Sequence, residues 1–433
     1  MEYKVSVIVP CYNSEKFLKE TLDNLLGQTL KEIQIITVND GSTDSTADII
    51  AEYSAKDRRI LYVHQENAGV SAARNNGIEH AQGKYTVFLD SDDLFSENAL
   101  EAMYNALEAE NADLAICRTV SFGFGGGQFN PIVDSFVKEK NIDCYDKRLL
   151  WNFIVSNKCY RTSLLTQSGV LFPPLRYSED GAFFMQFIHK TMPKIIGVYD
   201  AVFKYRKHQP DEGLSVTQRC ELGLVKDFSD SHELIYEAVR QSFEDEISEE
   251  NKNYLSEILC KKYTALINEF YRSLWSADDE TLDCINSIAS DAMARMNDDS
   301  KKKCIIVTKD IGEPIFSKKE ISEKPFVSVI VKNPSEKFVC SIYAQSMPVF
   351  ELITAQNSAL PARENIVAVS SKNFRSAAKK LAKGKIVITL GGNHPLDMRF
   401  FKVVSLLKRN GKFGFLPDFV IKLGAMMFLR IKK

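Results

Sequence analysis

Four residues able to do chemistry, Asp90-Ser91-Asp92-Asp93, stand directly after the apolar run Tyr85 to Leu89. A run such as YTVFL has the composition of a buried strand in a parallel sheet. Ligands of open α/β sheets bind just beyond the carboxyl ends of such strands. Residues two apart in extended backbone point the same way, so Asp90 and Asp92 can converge on one ligand. Two converging carboxylates suit a hard divalent cation such as Mg2+ or Mn2+, and such ions commonly serve phosphates. The competing explanation is a helix N-cap with surplus negative charge, because Ser96 to Glu110 has a helical pattern. A calcium loop of the EF-hand kind fails: the position needing Gly is Phe95, and a strand precedes the loop.

The elements that must position these carboxylates alternate in type. Val5 to Val9, Ile33 to Val38, Ile60 to His64 and Tyr85 to Leu89 predict strands. Between them, Phe17, Leu18, Leu22, Leu25 and Leu26 recur at helical spacing, with Asn13 or Ser14 as the cap and Gly27 as the stop. Thr46 to Ser54 and Val70 to Ala81 are the next helices. This rhythm predicts a Rossmann-type, mostly parallel sheet with helices on both faces. Asp44 is expected to cap the second helix, and Asp93 the helix that follows the aspartates. Ala112 to Val120 predicts another strand, and Gly123 to Gly127 a mobile flap or plain loop.

Farther along, 217–297 has helical stripes, one through Leu222, Val225, Phe228, His232, Ile235 and Val239. The charged stretch 301–325 predicts a linker. Beyond it the first half returns in outline. Val327-Ser328-Val329-Ile330-Val331 echoes Val5 to Val9, Ser335 to Phe338 repeats Ser14 to Phe17, and Arg375-Ser376-Ala377-Ala378 aligns with Arg74 to Gly77. Ordered matches at near-equal spacing predict a second, smaller α/β copy over 326–433. Its chemistry is stripped out: Asn357 stands for Asp40, and Gly391-Gly392-Asn393-His394 for the aspartate cluster. The expected organisation is thus 1–215 (a donor half to about 110 and an acceptor half from 111), a helical domain 216–300, the linker, and a non-catalytic 326–433.

A formal net charge of −2 argues against a general nucleic-acid binder. The 9 cysteines, an odd number with no Cys-x-x-Cys pair, predict reduced thiols in a cytosol. The first apolar run ends at Pro10, too early for a signal peptide, and no apolar stretch reaches membrane-spanning length. The tail 415–433 mixes Phe419, Ile421, Leu423, Met426 and Phe428 with Lys422, Arg430, Lys432 and Lys433. It suits either a terminal helix packed on the second copy or a peripheral contact with an anionic membrane.

Six ordered segments resemble the inverting nucleotide-sugar glycosyltransferases of family 2, which have the GT-A fold. They are VSVIVPCYNSEKFL from Val5, TVNDGSTDST from Thr37, ENAGVSAARNNGI from Glu66, YTVFLDSDD from Tyr85, SNKCYR from Ser156 and YSEDGAFF from Tyr177. The resemblance covers roughly the first 215 residues and implies the following. Asp180 is the general base. Pro10, Tyr12, Asp40, Arg74, Asp90, Ser91 and Asp92 face the nucleotide sugar. Asp92 ligates Mn2+ or Mg2+ through the diphosphate, and His208 is a third ligand, where the residues alone allow a solvated loop histidine. Glu179, Lys158 and Trp151 are supporting residues. Lys158 can hold the acceptor side or be plain surface charge, and Trp151 can floor the acceptor site or be core. The segment from Tyr205 implies a flexible cover for the diphosphate.

On that resemblance Asp40 meets the base. A carboxylate only accepts hydrogen bonds, so uracil N3–H suits it, guanine N1–H is possible, and cytosine and adenine are disfavoured. The implied reaction moves a sugar from a UDP-sugar to a hydroxyl of a saccharide, glycoprotein or lipid-linked glycan, in the cytoplasm or at the inner membrane face of a bacterium. Self-association through the C-terminal copy is a further expectation. Two other readings fit less of the sequence. A nucleotidyltransferase wants a Gly-rich, Lys-bearing loop where Pro10-Cys11-Tyr12-Asn13 stands. An inactive binding scaffold is opposed by the intact Asp40, Asp90, Asp92 and Asp180.

Overall fold

The structure, a computed structural model, describes residues 2–123, 126–208, 221–243, 248–270 and 278–301, then 327–330, 350–355, 366–369, 377–378, 381, 386–390 and 427–430. The chain divides into two compact units, 1–208 with 227–261, and 209–226 with 262–433.

The first unit is built on an eight-stranded sheet. Its strands are β1 (Val5–Cys11), β2 (Ile33–Asp40), β3 (Ile60–Gln65), β4 (Tyr85–Phe88), β5 (Leu94–Phe95), β6 (Leu114–Gly123), β7 (Lys158–Arg161) and β8 (Ile195–Lys207). They lie in the order β3-β2-β1-β4-β7-β6-β8-β5. The first four are parallel, and β7 is antiparallel to both β4 and β6. Between and after them run α1 (Leu18–Leu26), α2 (Thr46–Lys56), α3 (Val70–Glu79), α4 (Ala99–Glu110), α5 (Pro131–Asp134), α6 (Thr162–Ser168) and α7 (Glu179–Thr191).

Period-two alternation sorts the strand side chains onto two faces. Val5, Val7 and Val9 pack with Leu18, Leu22 and Leu25 of α1. Ile8, Ile36, Val38 and Phe88 pack with Ala73 of α3 and Phe183 and Phe187 of α7. Both faces are covered, which is why the strands are continuous apolar runs. Gly77 lets α3 lie close to β1: an added Cβ would stand 2.3 Å from Ile8 Cγ2. That approach carries Arg74, one turn earlier on the same face, down to the sheet's edge.

Three boundaries differ from expectation. The strand β1 runs through Pro10 and Cys11, and α1 starts only at Leu18, without a side-chain cap from Asn13 or Ser14. Ser14 is spent elsewhere, its N–H donating to Thr46 Oγ1 (2.7 Å). The helix α4 starts at Ala99, because Leu94 and Phe95 pair with Lys204 and Phe203 as a strand. Asp93 caps nothing; it is buried and accepts from the Arg206 N–H (2.7 Å). Asp44 does accept from the Thr46 N–H at the start of α2 (3.0 Å).

The segment expected as a separate helical domain contains α8 (Leu222–Ser242), α9 (Glu249–Phe270) and α10 (Asp279–Arg295). Ile235, Val239, Tyr254, Leu255 and Ile258 join the core of the first unit beside α7, so 227–261 completes that unit. Among the described residues no helix is long and apolar enough to cross a membrane.

The second unit holds β9 (Val327–Ile330), β10 (Phe350–Ala355), β11 (Ile366–Val369), β12 (Ile386–Leu390) and β13 (Met427–Arg430), in the order β11-β10-β9-β12-β13. Val327 pairs in parallel with Phe350 and Ile386, as Val5 pairs with Ile33 and Tyr85 in the first sheet. The last strand is antiparallel to β12, so Met427–Arg430 is not the terminal helix expected of the tail. The rest of the tail, linker residues 302–325, Asn357, Arg375, Gly391–His394, Ser335–Phe338, and Phe124 and Gly125 of the glycine loop lie outside the described residues.

Candidate active site

The aspartate cluster follows β4 at the carboxyl edge of the sheet and is held there by three neighbours. Ser91 Oγ meets Ser14 Oγ at 2.7 Å, and its carbonyl accepts from Thr21 Oγ1 of α1 (2.9 Å). Arg206, at the end of β8, donates from Nε to the Asp92 carbonyl and from Nη2 to Glu20 (both 2.6 Å). Burial, then the charges of Asp92 and Asp90, pushes the Asp93 carboxyl well up. His208 lies one residue beyond β8, with Nε2 at 2.7 Å from Asp92 Oδ2 and its ring 5.2 Å from Phe17. The expected flexible cover is therefore strand as far as Lys207, and 209–220 lie outside the described residues.

Asp40 ends β2 and is buried. Its Oδ1 accepts from Gln65 Nε2 and the Ala68 N–H (2.8 Å each), and its Oδ2 from the Gly69 N–H (2.9 Å). These bonds tie β2 to the turn that opens α3. They leave only one of a carboxylate's roughly four acceptor positions open. Asp40 is at least a turn-fixing residue. Pro10 is buried within β1, whereas Tyr12, beyond it, is 53% exposed.

Arg74 links the two halves of the site. Its Nη2 donates to Asp90 Oδ1 (2.9 Å) and its Nη1 to Glu179 Oε1 (2.8 Å), over the Phe172 ring. It is buried, so it is no surface ion pair. Burial opposes its charge, but Asp90 and Glu179 overcome that and drive its pKa up. Its remaining Nε is buried without a partner.

Glu179 and Asp180 open α7 just after Ser178, whose φ of 62° is left-handed. A non-glycine there is strained and must be held. Ser231 of α8 does so, donating to the Ser178 carbonyl (2.7 Å). Asp180 Oδ1 accepts from the Gly181 N–H (2.8 Å). Gly181 has no room for a side chain, since a Cβ would stand 2.6 Å from Phe153 Cδ2. Burial and the neighbouring Glu179 push the Asp180 carboxyl up to about 7, against Arg74 and Lys158, which pull it down.

The supporting residues fall on the 147–158 segment. Trp151 is 40% exposed, so it is not core, and Lys261 Nζ stands 4.2 Å from its ring. Lys158 is wholly buried, contrary to a surface charge. Sequence reasoning missed Ser231 and Phe153, and took Tyr205 only as the start of a covering segment. Burial, then the charges of Asp93, Asp92, Asp90 and Asp180, raises the Tyr205 phenol to about 12, although the residue remains 42% exposed. Its place at the end of an apolar strand, next to a basic run, was the available signal.

Among the described residues no three His, Cys, Asp or Glu side chains converge to hold a metal unaided. The Asp92–His208 pair does fit a hard cation in part. An oxygen and an imidazole nitrogen lie within contact distance at the cluster's open end. The remaining ligands would have to come from a bound phosphate group and water.

An open sheet with acidic groups beyond β4 and at the start of α7 is the architecture of GT-A glycosyltransferases. The glycosyl transferase family 2 model matches residues 6–169. Glycosyltransferase GlyG of Streptococcus pneumoniae is 33% identical over 217 residues, 48% of this chain and 72% of that protein. GlyA of the same organism is 36% identical over 214 residues, 47% of this chain but only 30% of its own length. Staphylococcus aureus TarS 1-349, solved with UDP-GlcNAc, shares the fold with a TM-score of 0.57 at 21% identity, covering 71% of this chain and 86% of that one. The chain belongs to glycosyl transferase family 2.

Proposed function

We propose that this protein is an inverting, metal-dependent glycosyltransferase that moves a sugar from a UDP-sugar to a hydroxyl of a saccharide or glycoconjugate in bacterial glycan synthesis. One observation carries the reading. Arg74 joins Asp90 of the aspartate cluster to Glu179, the neighbour of Asp180, within one ion-paired unit. A donor site and a base are thereby held on the same rim.

In this reading Asp90, Ser91, Tyr12 and Pro10 face the nucleotide sugar, and Asp40 fixes the turn beside the base. Asp92 and His208 hold Mn2+ or Mg2+. When bound, the cation supplies positive charge against the leaving diphosphate. Asp180 accepts the acceptor hydroxyl's proton as that oxygen attacks the anomeric carbon opposite the leaving group. A carboxylate is a weak base beside an alcohol, so proton transfer is late and positioning dominates. Trp151 and the 147–158 segment lie on the acceptor side. The bound UDP-GlcNAc of TarS supports UDP as the nucleotide.

The second sheet is read as a non-catalytic copy of the first half-domain, supported by equal strand order and register. Its suggested role is self-association. A chain ending near Glu323 that kept its oligomeric state would remove that part.

A panel of UDP-sugars incubated with Mn2+ and assayed for released UDP tests the main reading. Asp92→Ala and Asp180→Asn should each lower the release by at least about 100-fold. Pyrophosphate as product, or undiminished release in both variants, would overturn it.

A further inference from the structure

Lys158 is a buried charge that the reaction above does not use. Its Nζ donates to the Asn152 carbonyl and Asn157 Oδ1 (2.9 Å each) and to the Ile154 carbonyl. Three oxygen acceptors match the three protons of an ammonium; a neutral amine would turn its lone pair on one of them. All three acceptors are neutral, so the cage supplies no counter-charge. The cage is itself braced, for Asn157 Nδ2 donates to Asn152 Oδ1 and Thr119 Oγ1 (3.1 Å each).

The ammonium stands 4.3 Å from the centre of the Phe184 ring. Phe184 is four residues beyond Asp180 on α7, so both project from one helix face, one turn apart. The caged loop also carries Phe153, which packs on Gly181 directly after Asp180. Lys158 therefore reaches Asp180 both through charge and through packing. Other ionisable groups whose fields meet Asp180 include Glu179 on α7, Arg74 on α3, Tyr160 on β7 and Tyr205 on β8. Of these only Arg74 is cationic, and it is already shared between Asp90 and Glu179.

We propose that Lys158 is the internal counter-ion of Asp180, a positioning residue that keeps this carboxylate ionised and in place without touching donor or acceptor. The inference rests on the reading of Asp180 as the base. Burial draws the Lys158 amine down to about 7, and burial with Glu179 raises the Asp180 carboxyl to about 7, so under this proposal the charge of each bears on the proton of the other.

The test compares Lys158→Met with Lys158→Arg, following UDP release against pH with the UDP-sugar that turns over in the panel. Loss of the cation should move the acid limb of the methionine variant up by about one pH unit, an extra loss of about 10-fold at pH 6 relative to pH 9. The arginine variant should keep the wild-type limb. A loss of equal size at every pH in Lys158→Met would mean a merely structural role and overturn the proposal. If that variant does not fold, the 13C-carboxyl titration of Asp180 in the full wild-type chain decides. Two inflections are expected between about pH 6 and 8, and a single one below about pH 5 refutes the pairing. Wild-type protein that releases no UDP from any donor would sink the glycosyl-transfer reading, while the carboxyl titration would still judge the pair.

Discussion

Replacing Arg74 by methionine tests the joint between the two halves of the site. The methionine keeps much of the buried stem but removes both charge-assisted bonds, to Asp90 Oδ1 and to Glu179 Oε1. The two arms are unequal. The Asp90 side chain is 40% exposed, so water can replace its partner at little cost. Glu179 is 13% exposed and is left as a largely buried, unpaired carboxylate. Breaking a buried pair from one side costs about 3–5 kcal/mol, and with only one arm buried the lower end, about 3 kcal/mol, is expected. For a unit of this size that lowers the unfolding midpoint by about 6–12 °C. Arg74→Lys keeps the charge but lacks the fork, loses one bond, and should cost about 1.5 kcal/mol. The decisive assay is a double-mutant cycle by thermal unfolding. Adding Glu179→Gln to Arg74→Met should recover at least half of the loss, because the stranded charge is gone. A midpoint within about 2 °C of wild type in Arg74→Met, or no recovery in the double variant, would refute the view that Arg74 works by bridging these carboxylates.

Asp180→Asn should lower UDP release by about 10²- to 10⁴-fold while UDP affinity, read by calorimetry, changes by less than about 3-fold. In the wild type, a base must be ionised to act and burial with Glu179 holds the Asp180 carboxyl up to about 7. Turnover should therefore fall about tenfold per pH unit below that value, and a flat profile down to about pH 5 would contradict it. His208→Gln should weaken Mn2+ binding in the presence of UDP at least about 10-fold by electron paramagnetic resonance, and unchanged binding would remove His208 from the site. Ser178→Gly relieves a left-handed serine at φ 62° and should stabilise the chain by about 0.5–1 kcal/mol, so a clear loss in thermal unfolding would deny the strain.

The sheet was readable in the sequence because both its faces are covered. Burial on both sides forces apolar runs such as Val5 to Val9, and those runs name the strands without help from distant residues. The carboxylate cluster after β4 was readable for a related reason, since the strand end fixes where it must lie. What escaped depends on contacts far apart in sequence. Ser14 looks like a cap until Thr46 and Ser91 claim it. Asp93 looks like a cap until the Arg206 N–H, from a strand over a hundred residues later, takes its carboxylate. Lys158 looks like surface charge because its burial is decided by a loop that folds back onto residues 117 and 119. Local pattern carries the elements, and the long-range pairing carries the roles.

The acidic rim also bears on the second sheet. Asp90, Asp92 and Asp93 crowd one edge, and the raised carboxyl of Asp93 reports that crowding together with burial, while burial and the adjacent Glu179 raise Asp180. Arg74 from α3, Arg206 from β8 and Lys158 from β7 offset it, so the cluster depends on cations from three separate elements. None of this is needed to define the sheet. Strand order and register follow from apolar alternation, and they recur over β9 to β12, where the sequence beyond the last of these strands has Gly391-Gly392-Asn393-His394 in place of the aspartates. On the proposal that this unit is a non-catalytic copy, carboxylates can be lost without loss of the strands, and with them goes the repulsion that the first unit must counter. That asymmetry, a shared strand order and register without the acidic residues in the sequence, is the ground on which we propose a packing role for the C-terminal unit.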